Sequence, residues 1–409
     1  MSSEDVPSTD GELEDARDRD RSDLPGSDGE HELQERFETT ARAENFYEEA
    51  MQAALTDRMT DFLTDRWIGV VGWLDEDQPR ATPIIDAPGM VHVLDSETVA
   101  WPADTIIGSG PSFDGPEDQR WLSLVTVDWW DSTVGLHVNG VADRVDSVED
   151  GDGNQLPGVD WIVLSVEEAY IHCAKHIPRL SVTQQTPVRA VRDPVQEPYT
   201  LLPEAAQRFV GSRLQAFITT AEEAYVHCAK HVPLLSVTQQ TPARGVRDPV
   251  QKSYTHFPEA AQRFIGSRLQ AFLATADDAG ETDLSPRIGP AGFVQVLDET
   301  TLAWPEYRGN GVHASLGNML ERPQATLLFV DWWSTEVVLE VSGTVSLMDD
   351  VDGAEDLTDV DRTKTWVVLD VLSVDLVENP PLPELVVEEF DPPWGTDDVE
   401  AKRSGYFTD

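Results

Sequence analysis

The residues best suited to chemistry cluster in the C-terminal half of the chain. They run Asp283-Leu-Ser-Pro-Arg-Ile-Gly-Pro-Ala-Gly-Phe293, then Leu302-Ala-Trp-Pro-Glu-Tyr-Arg-Gly-Asn-Gly311, then Ala314-Ser-Leu-Gly-Asn-Met-Leu320. Arg287 and Arg308 are two guanidinium groups in a strongly acidic chain, and such forks match phosphate oxygens. Gly309 and Gly311 let the backbone turn and come close to a ligand. Ser315 and Asn318 fall at the start of a helix, whose free N–H groups and dipole favour an anion. Two readings stand side by side. Either these groups converge on one phosphate, or the arginines pair with nearby carboxylates and the glycines form an ordinary hairpin.

A second motif, His172-Cys173-Ala-Lys175-His176, recurs as His227-Cys228-Ala-Lys230-His231. Two His and one Cys per copy suit zinc, although the spacing matches no familiar finger. The plainer alternative is a turn that packs Tyr170 and Cys173 against the fold. No Gly-x-Ser-x-Gly elbow, no phosphate loop ending in Gly-Lys-Ser/Thr and no dinucleotide glycine fingerprint occurs.

The elements that must position these groups are mostly short strands. Trp67–Trp73, Met90–Leu94, Leu122–Val127, Val134–Val138 and Trp161–Val166 are rich in β-branched residues and bounded by turn residues. Helical spacing precedes the first strand, with Met51, Leu55, Met59 and Phe62 on one face. Pro258 suits the first turn of another helix.

Two nested repeats organise the chain. Ala100-Trp-Pro102 matches Ala303-Trp-Pro305, Val127-Asp-Trp-Trp130 matches Val330-Asp-Trp-Trp333, and Val138-Asn-Gly140 matches Val341-Ser-Gly343, all offset by 203 (304 − 101). One constant offset across several motifs marks a duplicated domain. A tighter tandem copy relates Glu167 onward to Glu222 onward, offset by 55 (222 − 167).

On these motifs the chain resembles the flavin-binding members of the pyridoxamine 5′-phosphate oxidase-like family, most closely in residues 255–345. The resemblance implies a mainly β fold of two FMN-binding split β-barrels with peripheral helices, packed as a pseudo-dimer. It implies oxidoreductase activity on a small-molecule redox substrate, with FMN as cofactor and F420 or haem as alternatives. A non-catalytic binding or assembly module with decayed sites is the rival. Ser285, Arg287, Trp304, Arg308, Asn310, Ser315 and Asn318 would then hold the cofactor. The family's segment after the last barrel strand adds a third reading of His172, Lys175 and His176, as groups beside the flavin of the adjoining barrel. In the first copy Ile84, Thr105, Ile107 and Gly115 replace Arg287, Arg308, Asn310 and Asn318, while Ser112 matches Ser315. That site is expected to have lapsed.

The expected organisation is an acidic disordered tail (1–36), a first barrel (37–180), a linker with the tandem copy (181–254), a second barrel (255–387) and an acidic tail (388–409). Asp and Glu number 76 against 29 Lys and Arg, a formal charge of −47. Such a surface relies on screening by salt, which points to a halophile and argues against nucleic acid. The N-terminal residues lack a signal core and no apolar run approaches a membrane span, so a cytoplasmic protein is expected. Homo-oligomerisation beyond the fused pair is left open.

Overall fold

The computed structural model describes residues 25–113, 119–129, 134–151, 153–156, 158, 160–172, 179–184, 215–220, 223–227, 249–307, 309–331, 337–355, 357, 363–382 and 384–389. Three helices come first: α1 (Asp28–Arg36), α2 (Thr40–Glu49) and α3 (Asp57–Thr64). A first sheet then uses β1 (Ile68–Asp75), β2 (Gln78–Ile85), β3 (His92–Asp95), β4 (Thr98–Pro102), β5 (Arg120–Val127), β6 (Gly135–Val145) and β7 (Trp161–His172). Its order is β2-β1-β5-β6-β7-β4-β3.

Three short strands follow, β8 (Arg179–Gln184), β9 (Gln215–Thr220) and β10 (Glu223–His227), and then β11 (Val250–Tyr254). After α4 (Glu259–Ile265) the second sheet runs β12 (Gln270–Ala276), β13 (Thr282–Ile288), β14 (Gln295–Val296) and β15 (Thr301–Tyr307). Helix α5 (Ala314–Glu321) intervenes before β16 (Gln324–Val330), β17 (Val337–Met348) and β18 (Thr363–Glu378); β19 (Glu384–Glu389) pairs with β8. The order β13-β12-β16-β17-β18-β15-β14 repeats the first sheet strand for strand. Strand β11 adds to β18, so pairing with the second sheet begins a few residues before the expected boundary at 255.

Both sheets are antiparallel and mainly β, and each curls until its ends meet. In the first, Ile84 of β2 bridges to Ile106 just beyond β4, and Ile107 N–H donates to Pro83 O at 3.0 Å. In the second, the same seam is spanned by side chains, Arg287 of β13 to Glu306 of β15. Each barrel fills with its own apolar core, and Trp101 and Trp304 are both fully buried.

Strand alternation sends the other face of β1, β2, β12 and β13 outward to a third core shared by both barrels. Ile68, Val70, Ile85 and Trp129 of the first barrel pack there against Phe272, Leu284, Leu328 and Val338 of the second. Hydrogen bonds rim this junction, Gln78 Nε2 to Ala325 O at 3.1 Å and Trp121 Nε1 to Thr282 O at 3.1 Å. Trp129 packs in this shared core; Trp130, Trp332 and Trp333 lie outside the described residues.

Two helices depart from expectation. Residues 28–36, expected to lie in a disordered tail, form α1, and its Leu33 is fully buried in the second barrel's core. The helix before β1 starts at Asp57, not near Ala50, because Thr56 caps it by accepting Met59 N–H at 3.3 Å. Met59 and Leu63 point into the first core, while Leu55 reaches the same core from ahead of the helix.

Candidate functional site

Strand β13 alternates Leu284, which faces the inter-barrel core, with Asp283, Ser285 and Arg287 on its opposite face. Ser285 Oγ donates to Asp283 Oδ2 at 2.8 Å, and Ser315 Oγ donates to the same oxygen at 2.8 Å. Ser315 lies in the first turn of α5, whose cap residue His313 is left-handed (φ 66°) and provides no side-chain cap. A carboxylate beside that turn is favoured by the free N–H groups there. The expected anion donors thus converge, and the anion they hold is Asp283.

The first barrel supplies the facing wall. Tyr170 Oη lies 3.4 Å from Asp283 Oδ1, and its ring stacks on His137 at 4.4 Å. Asn139 Nδ2 donates to Glu168 Oε2 at 3.2 Å, while Asn139 Oδ1 is buried without a hydrogen-bond partner among the described residues. From the N-terminal helices, Glu30 Oε2 accepts from Tyr47 Oη at 2.6 Å, and Tyr47 Oη accepts from Gln34 Nε2 at 2.9 Å.

A second group centres on Glu306. Its Oε1 accepts from Arg287 Nε at 2.7 Å and from Trp304 Nε1 at 2.9 Å. Trp304 and Glu306 are two apart on β15 and so share a face. Asn310 Oδ1 accepts from Val312 N–H within its own loop, where Gly311 takes a φ of 94°. Asn318 Nδ2 donates to Thr275 Oγ1 at 3.1 Å, inside the barrel. Of the expected site residues, Ser285 and Ser315 therefore meet, as do Arg287 and Trp304, while Asn310 bonds within its own loop and Asn318 to Thr275 of β12. Arg308, Lys175 and His176 lie outside the described residues, and so do Cys173 and Cys228 of the zinc reading; of His172 only the backbone is described.

Burial dominates the electrostatics. It pushes the Glu30 carboxyl up to about 8, with Asp283 and Glu168 adding to the rise and the Tyr47 hydrogen bond opposing it. Glu168 and Tyr170 are raised for the same first reason. His137 is driven down to about 3 by burial and then by the nearby Arg287. Near neutrality Glu30 keeps its proton and His137 is uncharged.

The matching place on the first barrel is filled differently. Arg80 takes the position of Asp283 and reaches Glu340 Oε1 at 2.6 Å and Asp375 Oδ2 at 3.1 Å. Glu340 lies cross-strand from Asp375 as His137 does from Tyr170. Burial raises Glu340 to about 8 even against the pull of Arg80. Nearby, Ile85, Thr105, Ile106, Ile107, Pro249 and Pro381 line a cavity of about 180 Å³. That is below the roughly 300 Å³ at which ligand pockets begin.

Sequence reasoning named Arg287 and Trp304 but not Glu306, which joins them. It also passed over Glu30, Tyr47, His137, Asn139 and Glu168. A polar residue at every second strand position, as in His137-Val-Asn139, was the one available signal. Among the described residues no helix is long and apolar enough to cross a membrane, and no group of three or more His, Cys, Asp or Glu is placed to hold a metal ion.

Residues 257–394 match the family described as pyridoxamine 5′-phosphate oxidase. Among solved structures, a putative pyridoxamine 5′-phosphate oxidase from Lactobacillus delbrueckii is 21% identical, covers 30% of this chain and 94% of its own, and has a TM-score of 0.24. HupZ of Group A Streptococcus is 15% identical over 28% of this chain and 90% of its own, with a TM-score of 0.24. A pyridoxamine 5′-phosphate oxidase-related, FMN binding protein from Nostoc punctiforme is 14% identical over 29% of this chain and 78% of its own, with a TM-score of 0.21. No curated protein matches the chain. The match to the pyridoxamine 5′-phosphate oxidase family thus falls on the second barrel and the residues just after it, 257–394.

Proposed function

We propose that the chain binds FMN non-covalently at the barrel junction, on the second barrel's side, and serves as a flavin-dependent oxidoreductase. Arg287 carries this reading. Its Nε is fixed by Glu306, and its two terminal nitrogens make no hydrogen bond among the described residues. An oriented guanidinium with donors to spare suits a phosphate. Ser285 and Ser315 support the reading less, because a phosphate on their hydroxyls would displace or meet the Asp283 carboxylate. The fit therefore rests on Arg287 and the glycine loop Gly309–Gly311. The unpaired Asn139 Oδ1 on the facing wall leaves a buried acceptor for a ligand N–H or a water.

When bound, flavin supplies hydride or electron transfer, and the protein supplies orientation and electrostatics. Arg287 would orient the anionic end. The half-buried Tyr170, stacked on the buried His137, would keep water from that wall, and the protonated Glu30 would hold a proton nearby. The fused barrels would act as an intrachain pseudo-dimer with one working site, since Arg80 fills the other with two ion pairs. The high acidic charge supports a salt-adapted protein.

One observation favours the rival reading of a non-catalytic module: Asp283 already takes both serine hydroxyls. Extraction separates the two. Protein purified in molar salt should be yellow and release about one flavin per chain on denaturation. Colourless protein that takes up neither FMN, F420 nor haem would leave only the assembly reading.

A further inference from the structure

Helix α1 precedes the first barrel in sequence but lies along the second, following the loop and helix nominated for ligand binding. Gly29 N–H donates to Glu321 Oε1 at 2.6 Å. Gln34 Nε2 donates to Val312 O at 3.0 Å, and Thr39 Oγ1 donates to Gly311 O at 2.9 Å. Phe37 and the His313 ring sit 5.0 Å apart. Where α1 crosses α5 the backbones touch: a Cβ on Gly29 would lie 2.3 Å from Gly317 O, and one on Gly317 would lie 2.4 Å from Glu30 N. Glycine at both places is what permits the contact.

That contact brings a buried carboxyl into the site. Facing Glu30 are Tyr47 of α2, Asp283 of β13, Glu168 and Tyr170 of β7, and Ser27 at the cap of α1. At the other end of the crossing Glu321 and His31 face each other electrostatically. Among the described residues no cation faces Glu30, so ionising it in place sets a negative charge against other acids.

We propose that α1 is a removable strap over the candidate flavin site of the second barrel, latched by the Gly29–Gly317 contact and the Glu30 carboxyl, and released as solution becomes alkaline. The proposal rests on the reading that this site takes a flavin. Its sign follows from linkage. Docked, Glu30 titrates near 8; released, it returns to its ordinary 4.5. Below 4.5 both forms hold the proton and docking is strongest. Between 4.5 and 8 only the docked form does, so docking weakens by up to about tenfold per pH unit, and above 8 it levels off. Leu33, fully buried among second-barrel residues, holds the strap down, so release is a minority opening and not a collapse of the barrel.

Hydrogen exchange on the full chain in molar KCl tests this, with protection factors for α1 and β16 compared at about pH 6 and pH 8.5. Protection of α1 should fall at least about tenfold with rising pH while β16 holds. The Glu30→Gln variant should keep α1 protected at both values, and Gly317→Ala should expose α1 at both while sparing β16. In parallel, the association rate of added FMN should rise with pH in the wild type and not in Glu30→Gln. Protection of α1 that matches β16 at both values would make α1 a permanent part of the core and overturn the strap, whatever flavin does. Opening of α1 without a change in FMN association would overturn the gating. Opening of α1 in a protein that never binds FMN would overturn the flavin reading and leave the pH-released strap standing.

Discussion

Arg80 and Asp283 occupy the same place in the two barrels, 203 residues apart (283 − 80), and carry opposite charges across the same junction. Arg80 reaches Glu340 and Asp375 of the second barrel, whereas Asp283 meets Tyr170 of the first. The duplicated fold therefore offers two similar sites of unlike chemistry. One is closed by a guanidinium with two carboxylates. The other gathers a carboxylate, two serine hydroxyls and a neutral aromatic wall.

The closed site should act as a clamp. Arg80→Ala leaves the buried Glu340 carboxyl and the half-buried Asp375 without their guanidinium donor, which typically costs about 1–3 kcal/mol. Chemical denaturation in molar salt should show that loss, while uptake of ligand by the second barrel should survive wherever the protein folds. A loss below about 1 kcal/mol, the range of an exposed pair, would contradict the clamp.

The acidic helix α1, Asp28–Arg36, should be a structural part of the second barrel. Leu33→Ala opens a cavity in the second barrel's core and should cost about 2–5 kcal/mol by the same denaturation. Indifference to this change would mean that α1 does not pack there.

Those two positions also mark how far the sequence could be read. The doubled barrel was legible because its motifs keep one offset, and the strand order repeats accordingly. Helix α1 was not, because its partners lie far along the chain: Gln34 bonds to Val312, 278 residues away. A nine-residue acidic helix shows no core stripe when its one fully buried apolar residue is Leu33. At the site, the donor types and the helix start at Ala314 were legible. Spacing could not reveal that Asp283 would take both serine hydroxyls, or that Glu306 would hold Arg287 across the seam. Competition between an internal carboxylate and a ligand is settled only by the fold.

Acid should weaken the protein through His137. Its folded value of about 3 lies below the ordinary 6.5, so between these limits the unfolded chain takes up a proton that the folded one refuses. Stability therefore falls as pH drops through that window. His137→Phe keeps a ring against Tyr170 and removes the titration, so its stability relative to wild type should improve steadily on acidification from pH 6.5 toward 3. An unchanged difference between the two proteins across that range would refute a buried neutral imidazole.

The tandem copy offers a different check. Deleting residues 167–221 joins Val166 to Glu222, so Glu-Glu-Ala-Tyr-Ile-His at the end of β7 becomes Glu-Glu-Ala-Tyr-Val-His. Within β7, Glu168 and Tyr170 are each replaced by their own kind, and the one change there is a core methylene at Ile171, worth about 1 kcal/mol. The shortened chain should fold with nearly the same denaturation midpoint. Failure to fold would show that both copies are needed.

The most direct test is a flavin titration in molar KCl that compares wild type with Arg287→Ala and Ile84→Ala, the same position in the two barrels. Wild type and Ile84→Ala should bind FMN saturably at about one per chain, and Arg287→Ala should bind at least tenfold more weakly, the loss of one charged hydrogen bond of about 1.5–3 kcal/mol. Equal affinity in all three proteins, or no binding by any, would contradict the assignment of the site to Arg287.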